Sequence, residues 1–267
     1  MAVSKLKSIA ILVLVAANLI LLGLLLPNRA AQRRQDVELR ESLCELYAGE
    51  GIALPAERIP QSRTLYALQL TASTSDQLRA ATALLGAQAV LQEPAQYGYL
   101  KNFQSAVGTC TIGWEGNFLA ELSGIEKKPE EVLEEMGFTW SSLETEDGVC
   151  KAVQSVLGAP VFSDGLQLHY EDGLLVRVEG TFCTGSSTPA RIGRDSCMSA
   201  ADALVRFLNQ RYSLGWVGKE ILSLEQGYAL ISTASVVNME MTPVWILVTD
   251  TGTFTVDGLT GEIHSVS

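Results

Sequence analysis

Histidine is almost missing from this chain, with only His169 and His264 among 267 residues. Catalytic triads and histidine-ligated zinc centres therefore have little to be built from. No H-E-x-x-H, G-x-S-x-G, P-loop or G-x-G-x-x-G pattern occurs. Cysteine is sparse and odd in number (Cys44, Cys110, Cys150, Cys183, Cys197), with no C-x-x-C. That spacing supports neither a zinc site nor a dense disulfide framework. If the body is extracytoplasmic, Cys183 and Cys197 could bridge across a Gly/Ser-rich loop, leaving at least one thiol free. Aromatic residues make up 7% of the chain, and Trp114, Trp140, Trp216 and Trp245 are scattered as core packing would have them, not gathered as a ligand cage. The Asp-Gly steps at 147–148, 164–165, 172–173 and 257–258 lack the acidic alternation of a calcium loop and read as turns. His169 falls beside Glu171 on the polar side of a strand, where a histidine is ordinarily surface. The expectation is a protein with no catalytic, cofactor-binding or metal-ligating residues.

Charge is missing in a patterned way. No acidic residue precedes Asp36, and five of the 19 basic residues lie in the first 34 positions. The remainder carries 14 basic and 30 acidic residues, a net of −16. So acidic a body argues against nucleic acid and against lying on an anionic membrane surface.

Between Ile9 and Leu26 there is no charge at all, and Asn18 is the one strongly polar side chain. Eighteen helical residues rise about 27 Å, close to the hydrocarbon thickness of a bilayer. The run Ser8–Leu26 is longer than the apolar core of a signal peptide, and Pro27-Asn28-Arg29 offers no small-residue cleavage site. It reads as an uncleaved single membrane span. Lys5 and Lys7 on one side against Arg29, Arg33 and Arg34 on the other make the positive-inside rule a near tie, and the span's place at the N-terminus favours a body outside the cell membrane. Asn18 lies near the middle of the span, where an amide commonly bonds to another helix. Ala16, Ala17 and Gly23 form a small-residue strip beside it, the candidate helix-interaction face.

Beyond the span, apolar periodicity gives helices over Asp36–Ala48, from Thr74 or Ser75 to Leu85, and over Pro129–Met136. Short β-prone runs separated by glycines fill 87–122. Val149, Val153, Val156 and Leu157 predict a further helix starting near Asp147. Leu166–Gly180 alternates about Asp172-Gly173 and predicts a hairpin. Ser199 and Asp202 form a capping-box pattern before Leu204, Phe207 and Leu208, and strands through 227–231, 243–248 and 253–256 close the chain. The expected fold is α+β: the span and its basic flanks over 1–34, then α+β domains over 35–146 and 147–267, each an antiparallel sheet with helices on one face.

Three stretches carry a family resemblance: the start K-x-K-S-I-A-I-L-V-L-V-A-A-N-L-I-L-L with its Asn18-Leu19 step, Gly227-Tyr228 leading a late strand, and the close P-V-W-I-L-V…F-T-V-D-G-L-T-G-E-I. Together they resemble the single-pass YycH/YycI-type regulators of two-component systems, and the Thr260-Gly261-Glu262-Ile263 ending also resembles the last strands of a PepSY module. The resemblance implies a regulator without chemistry. Its span would pack against a sensor histidine kinase, and its extracytoplasmic body would contact that kinase or a second regulator of the same type. The alternative is a surface-tethered PepSY-like module that binds or inhibits a peptidase or a germination or cell-wall factor.

Overall fold

The computed structural model describes residues 37–71, 73–92, 100–113, 116–189, 196–231 and 238–266. The expected span, with Ala16, Ala17, Asn18 and Gly23, lies outside the described residues. Among those that are described, no helix is long and apolar enough to cross a membrane.

The body is dominated by strands. The helices are α1 (37–49), α2 (Thr74–Leu85), α3 (Pro129–Met136) and α4 (Ala200–Gln210). The strands are β1 (Leu68–Thr71), β2 (Val90–Leu91), β3 (Leu100–Ser105), β4 (Gly108–Gly113), β5 (Asn117–Ile125), β6 (Trp140–Glu146), β7 (Val149–Val156) and β8 (Ala159–Phe162). They continue with β9 (Leu166–Glu171), β10 (Leu174–Thr181), β11 (Ser186–Pro189), β12 (Ile221–Ile231), β13 (Asn238–Thr249), β14 (Gly252–Asp257) and β15 (Ile263–Val266). All fifteen join one hydrogen-bonded network in the order β11-β1-β13-β12-β8-β7-β9-β10-β5-β4-β3-β2, with β14 and β15 continuing from β13 and β6 lying against β7.

This corrects the expected fold of two consecutive α+β units with antiparallel sheets. The network is continuous and mixed, because β8 pairs antiparallel with β7 and parallel with β12. That junction needs Gly227. A Cβ there would strike the Pro160 carbonyl oxygen and the Phe162 ring, so only glycine lets β8 approach β12 closely.

Two hydrophobic cores flank the junction. One gathers Leu43 and Tyr47 of α1, Leu68 and Leu70 of β1, Val161 of β8, α4 and β12–β15 around the fully buried Trp245. The other is built from α2, α3 and β3–β5, β7, β9 and β10. Polar tips of the large aromatics are satisfied: Tyr47 Oη donates to Leu204 O (2.8 Å), Trp245 Nε1 to Met198 O (3.0 Å) and Trp216 Nε1 to Thr249 Oγ1 (3.0 Å).

The helix expected from Asp147 is strand β7. Its buried positions are Cys150, Ala152 and Gln154, a period of two, while the valines at 149 and 153 are half-buried. Asp147 (φ 48°) and Gly148 (φ 79°) form the two-residue turn that joins it to β6. The hairpin at Asp172-Gly173 forms, but a register shift between Leu175 and Arg177 makes Leu175 and Val178 the buried pair and leaves Val176 off the core. The cap of α2 is Ser73, whose hydroxyl accepts from Asp76 N, instead of Thr74 or Ser75. Ser199 and Asp202 do form a capping box on α4.

Candidate functional site

Where the cores meet, an open cleft of about 270 Å³ lies between the α2–α3 pair on one side and the β1 and β11 edge on the other. Its walls are set by sequence-local rules. α2 presents Asp76 and Arg79 one helical turn apart. Gly137, in the left-handed conformation (φ 80°), ends α3 and turns the chain toward Thr139. Arg79 Nε and Nη2 donate to Glu135 O (2.9 Å) and Glu134 O (3.0 Å), capping the C-terminus of α3 from the neighbouring helix.

The floor is tied by one amide. Gln154 Nε2 donates to Cys183 O and Cys183 N–H donates to Gln154 Oε1, both at 2.9 Å. This side chain, 5% exposed, imitates a ladder residue between the end of β7 and the chain leaving β10. Gln226 does the same for Arg63 on the first core's side, at 2.7 and 3.0 Å. On the rim, Ser155 N–H donates to Thr139 O (2.8 Å) and Thr139 Oγ1 donates to Ser155 O (2.6 Å). The β7–β8 hairpin tip, Leu157-Gly158, reaches the cleft with Leu157 in the left-handed region (φ 52°) and 69% exposed.

His169 is joined not to Glu171 but to Glu179, its Nε2 lying 3.1 Å from Glu179 Oε1 without the alignment of a hydrogen bond. Strand alternation explains the partner. The register sets His169 opposite Arg177, and Glu179 lies on the same solvated face two residues on. Arg177 holds Glu179 through Nη2 (2.5 Å) and Nε (3.1 Å), and this bond lowers the Glu179 carboxyl below its usual range. No hydroxyl or thiol among the described residues bonds to His169, so this is a charge ladder without a nucleophile. Trp140 is half-buried and Trp216 and Trp245 are core residues, while Trp114 lies outside the described residues.

All five thiols are free, including Cys183 and Cys197, which both contribute to the first core. Burial pushes Cys110 and Cys183 up to about 12 and raises Cys44, Cys150 and Cys197 as well. A thiol so shifted is a packing group, not an activated nucleophile. Tyr170 is likewise pushed up to about 12 by burial, its hydroxyl donating to Lys127 O. Among the described residues no cluster of histidine, cysteine and carboxylate side chains could hold a metal ion.

Of the stretches behind the family resemblance, the two that lie among the described residues have local structural work. Gly227 serves the β8–β12 approach. Asp257 Oδ1 accepts from Leu259 N (2.8 Å) and Thr260 N (2.7 Å), and Gly261 (φ 76°) completes the loop into β15. The cleft itself was not legible in the sequence. Its only signals were the capped helix carrying Asp76 and Arg79 and the glycine turn at 137, and neither says that distant segments converge there.

No protein-family model matches the chain, and no curated protein does. Among solved structures it is similar to an uncharacterized protein from Eubacterium rectale ATCC 33656, with a TM-score of 0.49 and 10% identity over 77% of this chain and 86% of that one.

Proposed function

We propose that the chain is a non-enzymatic regulator anchored in the cell membrane through Ser8–Leu26, its body outside, that modulates a two-component sensor histidine kinase, the body contacting that kinase or a second regulator of the same type. The observation that supports this reading is the seam. Two cores meet at one strand junction and one glutamine clamp beside an open polar cleft. Such a joint lets a ligand or partner favour one arrangement of the two halves, which is what a regulator without chemistry requires. The uniformly raised thiols fit a body built for packing and binding. In the test, Asn18→Leu is expected to abolish co-purification with the kinase while the far-ultraviolet circular dichroism of the chain is unchanged. Undiminished co-purification refutes the anchor as the contact.

One feature favours the alternative, a tethered PepSY-like module that binds or inhibits a surface peptidase or a germination or cell-wall factor. β15 ends the sheet as an edge strand with His264, Ser265 and Val266 exposed, a place where an extended target segment can add. Under that reading, exchanging Ser8–Leu26 for an unrelated span leaves function intact.

A further inference from the structure

We propose that the cleft between the cores binds a small zwitterion with an apolar side chain, an α-amino acid or a dipeptide. The inference rests on the reading of the body as a ligand-responsive regulator and names the ligand class for its cleft. Size sets the upper limit: about 270 Å³ lies below the usual range of roughly 300–1,000 Å³ for drug-sized ligands.

The lining supplies opposed charges with unspent capacity. The half-buried Asp76 carboxylate makes no ion pair or hydrogen bond among the described residues, and it faces the cleft beside Arg79. Arg79 spends Nε and Nη2 on α3, leaving Nη1 to donate. From the opposite wall comes Thr184, 4% exposed, whose hydroxyl has no partner among the described residues, and near it Ser187. The hydroxyl itself is not closed off from solvent and so is open to a ligand in the cleft. An ammonium on Asp76 and a carboxylate shared by Arg79 Nη1 and the Thr184 hydroxyl would satisfy all three.

The apolar part of the ligand is set by Leu70, Val156 and Phe182, and above all by Leu157. A leucine at φ 52° is disfavoured where asparagine or glycine would be relaxed, and here it is also 69% exposed. The two-residue β7–β8 turn imposes that conformation, as the β6–β7 turn does on Asp147, but no turn calls for a leucine there, and its place at the mouth of the cleft points to a use. Leu157 would close over the ligand's side chain. Because Asp76 and Arg79 belong to one half and Thr184 and Leu70 to the other, an occupant ties the halves together, giving it different affinities for open and closed arrangements.

The test is calorimetric titration of the purified full-length chain with each free L-amino acid and with alanyl-alanine, and with butylamine and butyrate as the two half-ligands. Saturable binding of zwitterions with apolar side chains is expected. Asp76→Asn should weaken it about tenfold or more, since a charged partner is lost. Leu157→Asn should weaken it while raising the unfolding temperature, an effect that misfolding cannot produce. No saturable heat up to about 10 mM ligand, tenfold weaker than millimolar binding, overturns the inference, and so does unchanged binding by Asp76→Asn or equal binding of butylamine and the zwitterions. Kinase co-purification by the Asn18 variant is read separately, so either idea can fail without the other.

Discussion

The two cores solve the same problem with different stretches of chain. The second takes all its buried residues from the stretch Ala80 to Phe182, of which only the short β8 segment goes to the other core, and fills much of its space with small side chains: Ala80, Ala81 and Ala83 on α2, Ala120 on β5, Cys150 and Ala152 on β7. The first collects three separated runs, Leu43–Leu70, Ala159–Val161 and Cys183–Ile263, and closes them around large aromatics. Phe207 packs with tilted rings against Trp216 and Phe254, at centroid distances of 5.0 and 5.1 Å, and Tyr47 ties α1 to α4 over 157 residues of sequence. A core assembled from distant segments must overcome more loop-closure entropy before its contacts repay it, so it depends more on a few large, fully buried groups.

The largest expected effect breaks that comparison directly. Trp245→Ala removes a side chain with no exposed surface and the bond to Met198 O, and should cost about 3–5 kcal/mol. Denaturant titration measures the loss. Hydrogen exchange then locates it: α4 and β12–β14 should lose protection while β4, β5 and β10 keep theirs. Equal loss in both cores would show one cooperative unit and remove the distinction.

The same difference explains what could be read from the sequence. Within that stretch, local signals placed α2 to within a residue or two of its cap, and placed α3 and the β9–β10 hairpin, because their turns and alternation sit in neighbouring residues. β7 was misread there since its buried stripe, Cys150, Ala152 and Gln154, contains two small residues and a polar one, while the valines beside it happen to fall at helical spacing. Gln154 is inward for a reason invisible to periodicity: its amide replaces a missing strand. The continuity of the sheet was also hidden, since β8 is only four residues long and its parallel partner lies beyond position 220. Of the cleft, the residues were visible as a capped helix and a glycine turn, but their convergence is a property of the seam alone.

Breaking the clamp between the halves should be the intermediate case. Gln154→Leu keeps the volume but leaves the Cys183 N–H and carbonyl unpaired in a buried place, a cost of about 1–3 kcal/mol. Its twin, Gln226→Leu, removes the same bonds within the first core's own territory. If the seam is the weak joint, the Gln154 variant should broaden the unfolding transition into two steps and the Gln226 variant should only shift it. A single sharp transition in both variants would mean that the halves do not separate.

The smallest effect belongs on the solvated face of the second half, away from either core. Arg177 bonds Glu179 and approaches Glu121 at 3.9 Å, with all three side chains substantially exposed. Exposed pairs of this sort contribute little to stability because solvent and salt screen them. The Glu179 carboxyl nonetheless titrates below its usual value, chiefly through the Arg177 bond. A depressed native pKa contributes stability above the unfolded carboxylate value of about 4.3, and that contribution is lost as the pH falls through the native value. Arg177→Gln should therefore leave the unfolding midpoint at neutral pH nearly unchanged, yet raise the Glu179 titration seen by carboxyl-carbon NMR and flatten the acid limb of the stability curve. A large loss at neutral pH would instead mean that this face supports the core beneath it, so that the division of labour between buried aromatics and surface charge does not hold on this side of the molecule.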